Sequence, residues 1–383
     1  MKKTLEKLRP IIFELFDHLH QNPELSWKEV KTTSYIADFL KRNGCNVSTF
    51  TVHTGVVGEL GEGSLTVGVR ADMDSLWQEV NGTFQANHSC GHDAHMTMVL
   101  GMLLLLNELK IELPGRLKLI FQPAEEMGDG ALKMIEKQVI DDIDFLYGVH
   151  LRPIQELSMG TASPGIIHGA AETVSGRIIG FDAHGARPDL GVNAIEVIAA
   201  IIEQLKGIRL NPLDSFSVKM TQVSAGGENK NVIPGFAQFH LDLRAQKNET
   251  MNELVRKVEH ILQHIASLFE AKIEFEHQEK VYAAVVNKEA QKIMAHAIVK
   301  TLGDENVMPP VITPGAEDFH FYTKERPHLK AAMLGLGCDL APGLHHQNMK
   351  FNREALLDGI EILTRTVLET FEQNYLSILK NEK

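Results

Sequence analysis

Three apolar runs that each end in polar chemistry constrain this chain most: LTVGVRADMD (65–74), RLKLIFQPAEE (116–126) and DFLYGVHL (144–151). Near-continuous apolar runs of that length read as strands buried on both faces, the kind found in parallel sheets. An opening stretch at helical spacing and a second helix from Ala94 alternate with them, which is α/β rhythm. Sheets of this class collect ligands at the carboxyl ends of their strands. Here those ends carry Asp72 and Asp74, then Glu125 and Glu126, then His150, so three strands feed one site.

The rhythm changes near Thr173. A strand (ETVSGRIIGF), a helix (NAIEVIAAIIEQLKGI), two strands (SFSVKMTQV and GFAQFHLDLRA), a helix (MNELVRKVEHILQHIASLF) and a strand (AKIEFEHQ) follow in turn. This βαββαβ order is the ferredoxin-like split motif and is long enough to be a domain. After it the chain returns to helices, the strand-like KAAMLGLG, the segment APGLHHQN and a closing helix. The expected architecture is therefore a discontinuous α/β domain, residues 1–172 and 284–383, with a mixed sheet flanked by helices, and an inserted second domain, residues 173–283. A length of 383 residues also favours two cores over one.

Thirty-eight basic against 50 acidic residues give a net charge of −12, which opposes binding to nucleic acid or an anionic membrane and favours a small-molecule substrate. The most apolar helical run, Met96 to Leu106, is shorter than the roughly 20 residues of a membrane helix. Cys45, Cys90 and Cys338 are odd in number and widely spaced, unlike a disulfide framework, and the N-terminus mixes charge into its apolar positions, unlike a signal peptide. A cytoplasmic protein is expected.

The densest chemistry lies in HSCGHDAHMTM (88–98), where Cys90 and His92 flank Gly91. Two residues apart on an extended segment, a thiolate and an imidazole can face one divalent transition ion. The competing reading makes them cap and core residues of the helix that follows. In FQPAEE, adjacent carboxylates on an extended chain would face opposite ways, one toward metal and one toward substrate, although acids also suit a helix start. His150 and His345 each end a hydrophobic run, where a lone histidine is commonly a local hydrogen-bond partner. Together one thiolate, one carboxylate and three imidazoles can hold two ions if one ligand bridges, and two ions suit amide hydrolysis.

The segments HQNPELSWKE, GVRADMDSL, HSCGHDAHMTMVLG, FQPAEE, GVHL, GAEDF and GLHH resemble, in order and spacing, the M20 metallopeptidase family, and specifically its D subfamily of N-acyl-amino-acid amidohydrolases. The resemblance implies that Cys90 bridges two divalent ions (Zn, Mn, Co or Ni) and that His92, Glu126, His150 and His345 complete the ligands. The division would place His92 and His150 on one ion, and Glu126 and His345 on the other. Glu125 matches the general base that activates a metal-bound water to cleave the amide of an N-acyl amino acid or similar conjugate. In the insert, His184 and Asn231 resemble lid groups directed to the amide oxygen, and Arg244 one directed to a substrate carboxylate. Lid-mediated homodimers also occur among such relatives. Asp72, Asp74 and Asp93 look like groups that orient imidazoles, or strand-end and cap acids.

The chain departs from the family pattern in three places: Asp182-Ala183 before His184 and Arg187-Pro188-Asp189 after it put extra charge beside the expected oxyanion group, while SLWQEV after the strand and the short stretch from Gly82 to the cysteine motif flank the expected substrate entrance. Three other functions compete. The same centre could serve a dipeptidase or aminopeptidase; Cys90 could be a covalent nucleophile, which would survive chelation; and a two-domain cleft could bind a ligand without turnover.

Overall fold

The computed structural model of the protein describes the backbone through Asn381 and side chains through Asn374. The chain divides into two compact units, one of Met1–Ile167, Val285–Ile312 and Asp318–Lys383, the other of His168–Ala284 and Thr313–Glu317. The sequence placed single crossings near 172 and 283. The five-residue stretch Thr313–Glu317 instead joins the smaller unit, because the Gly169 amide donates to the carbonyls of Thr313 and Gly315.

The larger unit is built on a seven-stranded mixed sheet in the order Asn46–Thr49, Val56–Leu60, Arg116–Gln122, Thr66–Asp72, Phe145–Pro153, Lys330–Leu340, Ala162–Ser163. The middle four strands run parallel and the edge strands antiparallel. Every residue of Thr66–Asp72 is buried, as a central strand covered on both faces requires. Helix His92–Glu108 is apolar nearly all round, with 14 of its 17 residues buried. It packs against the sheet strands Thr66–Asp72 and Phe145–Pro153 and against helices Lys2–Gln21 and Ala355–Asn381, so no face is left for solvent. Gly101 permits the close approach, since a Cβ there would sit 2.4 Å from Ile360 Cδ1.

The smaller unit has the expected βαββαβ order. Its antiparallel sheet runs Phe216–Ala225, Phe236–Ala245, Ala170–Ile179, Lys272–Val281. Burial alternates residue by residue along Phe236–Ala245, and Phe239, Leu241 and Leu243 share a core with Val197, Ile201, Leu254 and Leu262 of helices Ala194–Lys206 and Asn248–Leu268.

Candidate metal centre

Asp72 is registered with Gln122, and Arg70 with Gly148, so the three parallel strands deliver their carboxyl ends to one side of the sheet. Cys90 and His92 do not lie on an extended segment as the sequence suggested. Gly91 between them has φ +91° and His92 opens the buried helix, so a left-handed turn aims both side chains. Glu125 and Glu126 likewise occupy a short 3-10 turn, Glu125–Met127, entered through Ala124 at φ +52°. For the Glu125 turn the cause is that the parallel strand Arg116–Gln122 must reverse within a few residues to start its crossover; Cys90 and His92 instead follow the antiparallel hairpin Leu76–Val80/Thr83–Asn87, and the helix start sets their direction.

Two groups of three ligand atoms result, Cys90 with His92 and His150, and Cys90 with Glu126 and His345. Within each, all atoms lie within 4.8 Å of one another. Hydrogen bonds at the far ring nitrogens settle which lone pairs face inward. His150 Nδ1 donates to its neighbour's carbonyl at 2.7 Å, leaving Nε2 3.5 Å from Cys90 Sγ. His92 Nδ1 donates to the Asp74 carbonyl at 2.9 Å, and its buried Nε2 has no hydrogen-bond partner. Glu126 Oε1 is orphaned in the same way, 3.9 Å from that nitrogen, while Oε2 lies 3.4 Å from His345 Nε2. Two orphaned acceptors facing each other in a buried site are what a cation satisfies.

The electrostatics agree. Burial opposes charge on His92, but Asp72 and Cys90 outweigh it and raise its pKa well above 6.5. Hydrogen bonds to Cys90 and Glu126 push His345 up to about 10. Both shifts have the same cause, anionic groups that favour positive charge at these two imidazoles, and a divalent cation can supply that charge in place of the protons. His150, depressed by burial and by neighbouring His95 and Arg152, stays neutral and keeps its lone pair. Burial and Glu126 raise the Cys90 thiol, which argues against a free nucleophile and for a ligand that ionises on binding metal.

Several supports were not singled out in the sequence. His345 sits at φ +61°, its amide bound to the Ser89 carbonyl and its own carbonyl to Gln78 Nε2, both at 2.8 Å. Beneath the strand ends, fully buried Arg70 bonds Asp72 (2.6 Å), Gln122 (2.9 Å) and Asp318 (2.9 Å). Of the three aspartates expected to orient imidazoles, Asp74 serves His92, and its carboxylate also accepts the amides of Glu125 (3.2 Å) and Glu126 (3.1 Å). Asp72 instead holds His95 and Asp93 holds His20, neither in the two ligand groups that share Cys90. No local motif marks these partners, because they are 48 to 267 residues apart in the case of Ser26–Asp74, Arg70–Asp318 and Gln78–His345.

Two expected results follow from this packing. Replacing Gly91 with Ala forces an L-residue into the left-handed region and puts a Cβ 3.0 Å from Leu151 Cδ1. About 1–3 kcal/mol of stability should go, with a matching fall in bound metal as Cys90 and His92 swing apart; unchanged metal content would contradict the role given to the turn. Arg70→Met leaves Asp72 and Asp318 buried without their cation, and urea unfolding should show a loss of about 3–5 kcal/mol.

In the smaller unit, the two-stranded ladder Ala183–His184 and Val232–Ile233 sets His184 opposite Val232, and just beyond it the Gly185 amide donates to the Asn231 carbonyl at 2.7 Å. His184 Nδ1 accepts the Ala186 amide. Arg244 lies on the four-stranded sheet instead, where its guanidinium pairs with Asp242 at 2.8 Å. The unusual charges near His184 are internally satisfied: Arg187 pairs with Asp189, and Asp182 accepts the Gly235 amide.

Residues 68–369 match the Peptidase family M20/M25/M40. Among curated proteins, the chain is 31% identical to IAA-amino acid hydrolase ILR1-like 4 of Arabidopsis thaliana, over 81% of this chain and 73% of that one. It is 29% identical to N-acetyl-L-cysteine deacetylase of Bacillus subtilis, over 97% and 90%. Among solved structures, Bacillus subtilis YXEP protein, described as a dinuclear metal binding peptidase from the M20 family, superposes with a TM-score of 0.82 at 25% identity, covering 96% of this chain and 99% of that chain. The pair of ligand groups sharing one thiol thus occurs in a chain that belongs to peptidase family M20/M25/M40 and is an amidohydrolase.

Proposed function

We propose that the protein hydrolyses the amide of an N-acyl amino acid or a similar amino-acid conjugate, releasing a carboxylic acid and a free amino acid. The observation that carries this reading is the buried pair of orphaned acceptors, His92 Nε2 and Glu126 Oε1, set between two ligand groups that share Cys90. Cys90, His92, Glu126, His150 and His345 would hold two divalent ions, and the thiolate and imidazoles suit Zn, Mn, Co or Ni better than Mg or Ca. When bound, the ions lower the pKa of water and polarise the amide carbonyl.

Glu125 carries the proton. Its carboxylate, about one-tenth exposed, has an oxygen 3.8 Å from His92 Nε2, at the margin of the ligand cluster. From there it takes a proton from the attacking water and delivers it to the leaving nitrogen. Glu126, next on the same turn, stays with the ligands, so binding and proton transfer fall to separate carboxyls. His184 and Asn231 are assigned to the amide oxygen, and Arg244 to the substrate carboxylate, exchanging Asp242 for it as a partner.

The test is a side-by-side assay of the metal-loaded protein on N-acetyl, N-benzoyl and indole-acetyl amino acids and on dipeptides with a free amine. Turnover of the acylated series is expected; preference for dipeptides would instead identify a peptidase. The net charge of −12 and three free cysteines fit a cytoplasmic enzyme of small molecules, and no helix among the described residues is long and apolar enough to cross a membrane. A homodimer through the lid belongs to the same proposal and is checked by light scattering.

A further inference from the structure

Three consecutive backbone amides of the Glu125 turn end on two buried carboxyl groups. Those of Glu125 and Glu126 meet Asp74, and that of Ala124 meets Glu29 Oε1 at 2.9 Å. Glu29 lies 95 residues away, is completely buried, and receives the Thr54 hydroxyl on its other oxygen at 2.6 Å. Both of these partners are neutral, so the carboxyl is buried at a desolvation cost that no cation among them offsets. Helix Val30–Arg42 begins directly after Glu29 and takes no side-chain cap bond from it. The carboxyl is therefore not spent on the helix it precedes. It is turned instead to Ala124, a buried residue at φ +52° whose conformation an L-amino acid holds only when its surroundings impose it.

We propose that Glu29 is a positioning residue for proton transfer: by binding the Ala124 amide it fixes the strained entry to the turn, and so fixes where the Glu125 carboxylate stands beside the metal ligands. The inference rests on Glu125 being the proton carrier. A base must stand within hydrogen-bond reach of both the water and the leaving nitrogen, and an error of about 1 Å costs on the order of a hundredfold in rate. Asp74 alone does not set that position, because it holds the two amides after Ala124; the Ala124 carbonyl accepts the Gly130 amide at a long 3.3 Å, and Glu29 is the side chain that holds the Ala124 amide. Burial pushes the Glu29 carboxyl up to about 7, while the Thr54 hydroxyl and the Ala124 amide, both donors, hold its two oxygens in place. A glutamine keeps the acceptor toward Ala124 and offers its NH2 to the Thr54 oxygen, which can accept once its hydroxyl rotates.

The experiment uses the full chain loaded with metal, in the variants Glu29→Ala, Glu29→Asp and Glu29→Gln. Expected for Ala, and for Asp, whose shorter side chain withdraws from Ala124, is a kcat roughly 10- to 100-fold below wild type, with KM within about twofold and metal content unchanged. Backbone amides 124–126, followed by hydrogen exchange of the peptide that spans them, should exchange at least about tenfold faster in both variants, with the rest of the larger unit unaffected. Gln should restore both rate and protection. The Asp variant carries the test if Ala does not fold. Unaltered exchange at 124–126 overturns the inference, as does a Gln variant as impaired as Ala, or a loss that follows metal content instead of kcat. If wild type turns over none of the amides assayed, the functional reading fails by itself, and exchange at 124–126 still decides whether Glu29 holds the turn.

Discussion

Glu125→Gln lowers kcat by roughly a thousandfold, within the 10²- to 10⁴-fold range of a lost general acid–base, while both metal ions remain bound and KM changes little. The amide is nearly isosteric with the carboxylate but neither takes nor returns a proton. The turn should stay in place, because its amides are held through Glu29 and Asp74 and not through the Glu125 side chain. Glu126, with one oxygen 3.4 Å from His345 Nε2, keeps its place among the ligands. Steady-state kinetics on the best N-acyl substrate, with metal analysis of the same sample, separate this from the alternative that Glu125 is only an acid at a helix start, for which a change of under about 0.5 kcal/mol is expected. Activity within tenfold of wild type would end the assignment.

The sequence made the site legible to the extent that each functional group stands at the end of its own apolar run. His150 could be read because a buried strand delivers it, and Glu125 and Glu126 because two acids follow RLKLIFQ. What could not be read was direction. The expectation that Cys90 and His92 share a face by strand periodicity named two side chains that the fold does bring together, but a glycine at φ +91° and a helix start aim them, not a strand. The insert was legible as βαββαβ because its strands alternate and its helices carry one apolar stripe, a local signal. Arg70, Gln78 and Glu29 were missed because their partners are distant in sequence, and a buried charge inside an apolar run carries no mark of what neutralises it. Short edge strands such as Ala162–Ser163 and Val232–Ile233 were missed because two residues carry no period.

Cys90→Ala tests the other half of the centre. Cys90 is the one atom source common to both ligand groups, so its removal leaves His92 with His150, and Glu126 with His345, each a pair without a third protein donor from its group. Both ions should be lost together on dialysis against low-micromolar metal, and activity should fall by at least about a thousandfold, since the chemistry the ions supply goes with them. A ligand present at 1,000 times its Kd stabilises a fold by about 4 kcal/mol. The metal-loaded wild type should therefore melt several degrees higher than its chelated form, and the variant should melt at one temperature with or without chelator. The opposite pattern separates the remaining reading: a nucleophilic Cys90 would leave metal content and chelator sensitivity of melting intact in the variant while abolishing turnover, and wild-type activity would survive chelation. The thiol is only 6% exposed and raised by burial and by Glu126, and it lies beside a histidine nitrogen whose lone pair faces it at 3.5 Å. That environment suits a thiolate formed by exchange of its proton for a metal ion, and coincident loss of both ions is the result that follows from it.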